Sequence, residues 1–151
     1  MSFIFKDFGI LTNGVIDLVL VERSPAEPER KYVPRYKFNI TIHNCDEIIG
    51  EADIRIGHNR NTYFGGNVGY CIDPKYRGHG YAAQAVRLLK KVAKTHKMSY
   101  IHGSCNPNNT PSRKTLENAG FELKGIENLP EDNDLYHDGE RQACIYKLML
   151  L

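Results

Sequence analysis

The period of the sequence changes within one short loop, and that change limits the fold more than any other feature. Asn67 to Ile72 has the apolar character of a strand and is ended by Asp73-Pro74, because the residue before a proline is pushed out of helical geometry. From Gly80 the spacing becomes helical. Ala82, Ala85, Val86, Leu89, Val92, Ala93 and His96 form one stripe, while Arg87, Lys90, Lys91, Lys94 and Lys97 lie on other faces. The cations crowd the C-terminal half, where they suit the helix dipole. A strand passing through a glycine-rich loop into a long amphipathic helix requires a sheet for that helix to cover.

The flanking segments supply the sheet. Asp17 to Glu22 is a short apolar run, and Arg35 to His43 alternates Tyr36, Phe38, Ile40 and Ile42 with polar residues, as a half-buried strand does. Ser24 to Pro34, with three prolines, predicts a loop too short for a sizeable helix. Ile48 to Ile56 alternates again, with Gly50, Ala52, Ile54 and Ile56 on one face and Glu51 and Asp53 on the other; a polar loop over Gly57 to Gly66 follows. Beyond the long helix the expected elements are a strand over Met98 to Cys105 and a helix over Thr110 to Asn118, closed by Gly120. A strand opening at Phe121 to Gly125, an Asp138-Gly139 hairpin turn and a last strand over Ala143 to Leu150 complete the chain. The expectation is one α+β unit over residues 1–151: an antiparallel meander, a long helix after the fourth strand, a second helix and a C-terminal β-hairpin.

Composition narrows the function classes. A chain of 151 residues is long enough for a core without metal or disulfide staples, and 41% hydrophobic with 25% charged residues is ordinary for a globular protein. A net charge of +2 gives no electrostatic footprint for nucleic acid or an anionic membrane. No run reaches the ~18 apolar residues of a membrane span, and the start lacks a basic segment followed by an apolar one, so a cytoplasmic location is expected. Cys45, Cys71, Cys105 and Cys144 show no metal-ligand spacing and are expected as unpaired, packed residues. No metal site is expected.

The loop between strand and helix carries the chemistry. Val68-Gly-Tyr-Cys-Ile-Asp-Pro-Lys-Tyr-Arg-Gly-His-Gly-Tyr-Ala82 offers free backbone N–H groups and the positive end of a dipole to an anion, with Arg77 beside them. A Walker phosphate loop would need G-x-x-x-x-G-K-[ST], which is absent. Gly78-x-Gly80-x-x-Ala83 fits a dinucleotide fingerprint. That fold, however, needs an acidic residue about 20 positions on, and no Asp or Glu lies between Asp73 and Glu117. A nucleotide-binding oxidoreductase half-domain is therefore a distant alternative.

The same segment resembles the Gcn5-related N-acetyltransferase (GNAT) family. Lys75-Tyr-Arg-Gly78-His-Gly80 is similar to that family's [Q/R]-x-x-G-x-[G/A], with Lys in place of Gln or Arg. Asn106-Pro-Asn-Asn109-Thr-Pro-Ser112, followed by Ala119-Gly120-Phe121, is similar to its N-x-x-S…G-F block. The closing Asp138-Gly-Glu-Arg and Tyr146-Lys-Leu resemble its final hairpin, most like the branch that acetylates ribosomal proteins. The three blocks span roughly residues 48 to 150.

The resemblance implies a GNAT-like, mostly antiparallel twisted sheet and transfer of an acetyl group from acetyl-coenzyme A to a primary amine, by direct attack in a ternary complex. It implies that the amides of Arg77, Gly78, His79, Gly80, Tyr81 and Ala82 hold the pyrophosphate. Tyr70, Cys71 and Ile72 would pair with pantetheine and polarise the thioester carbonyl, and Asn109 and Ser112 would face the pantetheine and the thiol. The bland alternatives are a plain helix start at Gly78-x-Gly80 and a plain helix cap at Asn109. Many members place a tyrosine acid four positions before the Gly-Phe pair, where this chain has Leu116. Ser112 becomes the candidate to protonate or orient the leaving sulfur.

Glu51, from the neighbouring strand, is the candidate base, against a role as a solvated or paired carboxylate. Cys71, with no histidine placed beside it, is read as packed rather than nucleophilic. Family members usually insert one or two helices between the first two strands. Here only Ser24 to Pro34 is available, so the acceptor side is open or completed by a second subunit in a homodimer. The acceptor is a small-molecule amine or a protein N-terminus. A non-catalytic acyl-coenzyme A sensor is the alternative that Leu116 and the missing helices favour.

Overall fold

The computed structural model describes residues 3–150; Met1, Ser2 and Leu151, which the single-unit expectation includes, lie outside the described residues. Eight strands and four helices follow in chain order: β1 (Leu11–Thr12), β2 (Ile16–Ser24), β3 (Arg35–Ile42), β4 (Ile48–Arg55), α1 (Arg60–Gly65), β5 (Val68–Ile72), α2 (Tyr81–Thr95), β6 (Tyr100–Cys105), α3 (Thr110–Asn118), β7 (Glu122–Asn128), α4 (Asp134–His137) and β8 (Gln142–Met149). The strands form two sheets, β1-β2-β3-β4-β5 and β6-β8-β7, and every strand pair within them is antiparallel. This is the α+β, GNAT-type arrangement that the sequence implies. Because the two-residue β1 precedes the others, the long helix follows the fifth strand rather than the fourth.

Alternation explains the first sheet. Ile16 and Leu18 of β2, Tyr36, Phe38 and Ile40 of β3, Ala52 and Ile54 of β4, and Val68 and Ile72 of β5 are buried on one face. Helix α2 covers that face, burying Ala83, Ala85, Val86, Leu88, Leu89, Val92 and Ala93. Ala82 is only half-buried, and His96 lies past the last turn, where its Nε2 stands 2.7 Å from the Tyr36 hydroxyl. The register shift between β3 and β4 turns Ile49 into the core as well, which strict alternation assigns to the polar face. The opposite face carries an ion-pair ladder: Arg35 with Glu22, Lys37 with Glu51, and Arg55 with Asp53.

Three local expectations need correction. Gly57 to Gly66 is not wholly a loop: Asn59 and Thr62 form a reciprocal capping box that starts α1, which rests on β6 and β8. Asp138-Gly139 is not a two-residue hairpin turn. It ends α4, whose cap Asn133 accepts from the Leu135 amide, so β7 and β8 are joined by a long, partly helical connection. Of the four free cysteines only Cys144 is buried; Cys45 and Cys71 are exposed and Cys105 is intermediate.

One residue joins the sheets. Asn67, fully buried, donates its amide to the His102 carbonyl (2.8 Å) and accepts the His102 amide on Oδ1 (2.8 Å). Its side-chain amide donates to the carbonyls of Arg55 and Gly57. Beyond this clasp β5 and β6 belong to different sheets, leaving a cleft between them. No helix among the described residues is long and apolar enough to cross a membrane.

Candidate active site

The cleft is edged by the glycine loop on one side and the start of α3 on the other. After β5, Asp73-Pro74 opens a 3-10 turn over Pro74–Tyr76, and Arg77 folds back so that its Nε donates to the Ile72 carbonyl at 2.8 Å. Gly78 and Gly80 have φ of 89° and 75°, in the left-handed region that side chains resist, and Gly80 is the N-cap of α2. A Cβ built on either would meet nothing within 4 Å, so the loop surface is open where a phosphate would approach. Among the described residues the amides of residues 78–83 donate to no protein acceptor; the first helical bond runs from Gln84 to Gly80. His79 is exposed, its ring 5.4 Å from that of Tyr81, and Tyr81 and Ala82 form the half-buried first turn. Lys75, the departure from the family pattern, sits 3.2 Å from Glu47.

Strand β5 places its three candidate residues differently. Ile72 is buried under α2, Tyr70 is half-buried opposite Ala52, and Cys71 is exposed opposite Glu51. Tyr70 reaches across the cleft, its hydroxyl 2.7 Å from Ser112 Oγ and 3.3 Å from the Ser112 carbonyl. Burial pushes the Tyr70 phenol up to about 12, only partly offset by the hydrogen bond from Ser112. Cys105, at the end of β6, is half-buried, and its burial beside Cys144 pushes its thiol up to about 11. Both groups are therefore neutral near pH 7.

Helix α3 holds Ser112 in its first turn. Asn109 caps it by accepting the Ser112 amide at 3.2 Å, and Pro111 fills an early position whose missing N–H costs nothing. Arg113 fixes this end by donating to the Tyr146 hydroxyl (3.2 Å) and the Pro107 carbonyl, while Tyr146 donates to Glu117. Leu116 is fully buried, and a Cβ on Gly103 would lie 2.5 Å from its Cδ2, so this position packs α3 onto β6.

The two carboxylates of β4 differ sharply. Glu51 is 56% exposed and ion-paired with Lys37 at 3.4 Å, the solvated and paired state weighed against its role as base. Asp53 is 17% exposed, faces Gly69 in the register, and has a buried Oδ2 without a hydrogen-bond partner; Arg55 stands 3.6 Å away. A Cβ on Gly69 would overlap Asp53 Oδ1. Gly69 therefore lets Asp53 lie directly against β5, one residue before Tyr70.

Residues 20–122 match the family described as the acetyltransferase (GNAT) domain. The chain belongs to the GNAT family. It is 29% identical over 91 residues, 60% of its length and 50% of the relative's, to the uncharacterized N-acetyltransferase p20 of Bacillus licheniformis. It is 25% identical over 105 residues, 68% of its length and 60% of the relative's, to the uncharacterized N-acetyltransferase YnaD of Bacillus subtilis (strain 168). The GNAT chain thus spans about half of one curated relative and three-fifths of the other. Its fold matches that of RimL, a ribosomal alpha-N-protein acetyltransferase solved in complex with coenzyme A, with a TM-score of 0.66 over 93% of this chain and 98% of that one at 15% identity.

Two features of this GNAT site lie beyond what spacing gives. The Tyr70 hydroxyl bonds across the cleft, where the sequence suggests only a backbone role for that strand. Asp53 is the sequestered carboxylate, a distinction that the Asp53–Gly69 register contains but that a single strand's alternation does not.

Proposed function

We propose that the chain is an acetyl-coenzyme A-dependent N-acetyltransferase acting on a primary amine by direct attack in a ternary complex. The observation that carries this reading is the run of unpaired amides over residues 78–83, opening onto the cleft between β5 and β6. The amides from Gly78 to Ala82 and the α2 dipole would take the pyrophosphate, with Arg77 closing the strand end behind them. Pantetheine would lie along Tyr70, Cys71 and Ile72 as an added strand, one of their amides polarising the thioester carbonyl. Asn109 and Ser112 would face it from α3. RimL, of the same fold, was solved in complex with coenzyme A, which supports coenzyme A as the ligand.

Acetyl transfer needs a neutral amine and a path for the leaving thiolate. An α-amine titrates near ~8, so enough of it is neutral at pH 7 without a strong base. A thiol pKa near ~8.5 makes the thiolate a good leaving group that needs only a hydrogen bond or one proton. The Tyr70–Ser112 pair supplies a neutral hydroxyl at the cleft, so this chain need not place a tyrosine at Leu116. That pair favours turnover over the sensor reading. On the acceptor side Asp53, drier than Glu51 and lying against Gly69 of β5, is the better carboxylate to receive the amine. A soluble amine of the cytoplasm, free or at a protein N-terminus, fits the reading, and no metal is invoked.

The test is calorimetric titration with acetyl-coenzyme A, with NAD and ATP as controls. Saturable one-to-one binding of acetyl-coenzyme A alone, followed by thiol release with an amine panel, supports the reading. Binding without thiol release to any amine supports the sensor, and no binding at millimolar ligand sinks both.

A further inference from the structure

We infer that the outer face of α2 is a docking surface for the phosphate backbone of RNA. The net charge of +2, which by itself leaves no footprint for nucleic acid, is the sum of two unlike parts. Residues 74–116 hold nine Lys and Arg and no Asp or Glu, a net charge of +9. The other 108 residues hold eleven Lys and Arg against eighteen Asp and Glu, a net charge of −7.

The fold gathers five of the nine cations along one helix and its end. Because α2 buries Ala85, Val86, Leu89, Val92 and Ala93 against the sheet, its remaining side turns Arg87, Lys91 and Lys94 to solvent. Lys97 is exposed just past the last turn, and Lys90 is half-buried beside them. Among the described residues none of the five is ion-paired, whereas Arg35, Lys37, Arg55 and Arg60 each stand against a carboxylate. Arg87 donates to the Asn118 carbonyl at 2.6 Å, which leaves its charge uncompensated, and Glu117 accepts from the Tyr146 hydroxyl. Arg87 and Lys91, like Lys90 and Lys94, stand four residues apart, where like charges repel along a helix face. The helix dipole favours the cation of the last turn, Lys94, but not those of the middle turns. An external polyanion relieves that repulsion.

Three observations select RNA. The face is too far from the glycine loop to serve the donor: Lys90, Lys91 and Lys94 follow the Gly80 cap by about 15–20 Å along the helix axis. Among the described residues the exposed large hydrophobics, Ile48 and Leu123 included, all lie outside residues 74–116. The face therefore has no apolar anchor for a membrane or for the core of a protein interface. What it offers is a row of cations at steps of about 5–6 Å, the chemistry of phosphate capture. A helix half-sunk in its own sheet cannot enter the B-DNA major groove, about 8.5 Å deep, but can lie across the shallow minor groove of an A-form duplex and bridge its phosphates.

The experiment follows the fluorescence anisotropy of a labelled RNA duplex of about 20 base pairs, longer than the contact such a ridge makes, titrated with the full chain. A DNA duplex of the same sequence, polyglutamate and anionic lipid vesicles serve as competitors. RNA is expected to bind with a Kd of roughly 1–100 μM near physiological salt, and about four phosphate contacts should weaken it about 100-fold between 50 and 200 mM salt. Lys90→Gln, Lys91→Gln, Lys94→Gln and Lys97→Gln together keep helix propensity and should bind at least about tenfold more weakly, with a flatter salt dependence. Arg at the same four positions should keep the binding, and the Kd for acetyl-coenzyme A should be unchanged in both variants. Melting curves confirm folding; if the fourfold Gln variant does not fold, Lys91→Gln combined with Lys94→Gln decides. No saturation by about 1 mM protein, well past the range of backbone binding, overturns the inference. A Gln variant that binds as tightly as the unaltered chain, or RNA displaced by acetyl-coenzyme A, overturns it too. So do DNA, polyglutamate or vesicles that compete as well as unlabelled RNA.

Discussion

Replacing Gly80 with Asp separates charge from shape at the loop that defines this fold. Gly80 has φ of 75° and its missing Cβ faces open space, so an aspartate meets no clash and only the left-handed strain of about 1–2 kcal/mol. In a chain of this size that lowers Tm by a few degrees, at roughly 2–4 °C per kcal/mol. The new carboxylate stands where the proposed pyrophosphate binds. At a separation of about 5 Å and an effective dielectric near 20, repulsion between two unit charges is about 3 kcal/mol, which weakens acetyl-coenzyme A about 200-fold. Gly80→Ala carries the strain without the charge and should bind within a few-fold of the unaltered protein. Raising the salt should narrow the gap between the two variants, because the open loop is screened. Calorimetric Kd values alongside melting curves read both effects. A Gly80→Asp protein that binds within threefold, or a Gly80→Ala protein that loses as much, refutes anion capture by these amides.

Tyr70→Phe removes the hydroxyl at Ser112, so kcat should fall about 100-fold, the lower end for a general acid, with KM for acetyl-coenzyme A unchanged in steady-state thiol-release assays. The Tyr70 phenol is pushed up to about 12 from an unfolded value near ~10, so the folded state binds its proton more tightly. Its contribution is complete below pH 10 and is lost between pH 10 and 12; urea melts of Tyr70→Phe should lack that part of the alkaline decline. Asn109→Ala removes the acceptor for the Ser112 amide and should cost about 1 kcal/mol, seen as a Tm lower by a few degrees. Leu116→Tyr should destabilise by about 1–3 kcal/mol in chemical denaturation and restore no activity to Tyr70→Phe, because Leu116 already fills the space above Gly103.

Much of this fold was legible because its signals are local. The helical stripe from Ala85 to Ala93, the Asn109 cap with Pro111 and the alternation of Tyr36, Phe38 and Ile40 each identify their element from neighbouring residues alone. Where the reading stopped short, the cause was a contact with a distant partner. Asn59 and Thr62 cap a six-residue helix whose stability depends on packing against β6 and β8, and no apolar stripe announces it. Asp138-Gly139 has the composition of a hairpin turn, but the segment before it forms α4, held by the Asn133 cap and by Leu135 and Tyr136 against the small core of Leu129, Ala143 and Ile145. The glycine loop was visible as a motif, whereas the Tyr70–Ser112 pair required the chain to fold back across 42 residues.

The geometry of the cleft follows from where the sheets are tied and where they are not. Asn67 spends its backbone amide and its whole side chain on His102, Arg55 and Gly57: two hydrogen bonds tie the base of β5 to β6, and two tie it to the end of β4 and the segment just after it. Beyond it the β6-side edge of β5 has no strand partner, so its backbone groups are open to pairing with an added strand. An extended amide-containing arm such as pantetheine would pair with that edge.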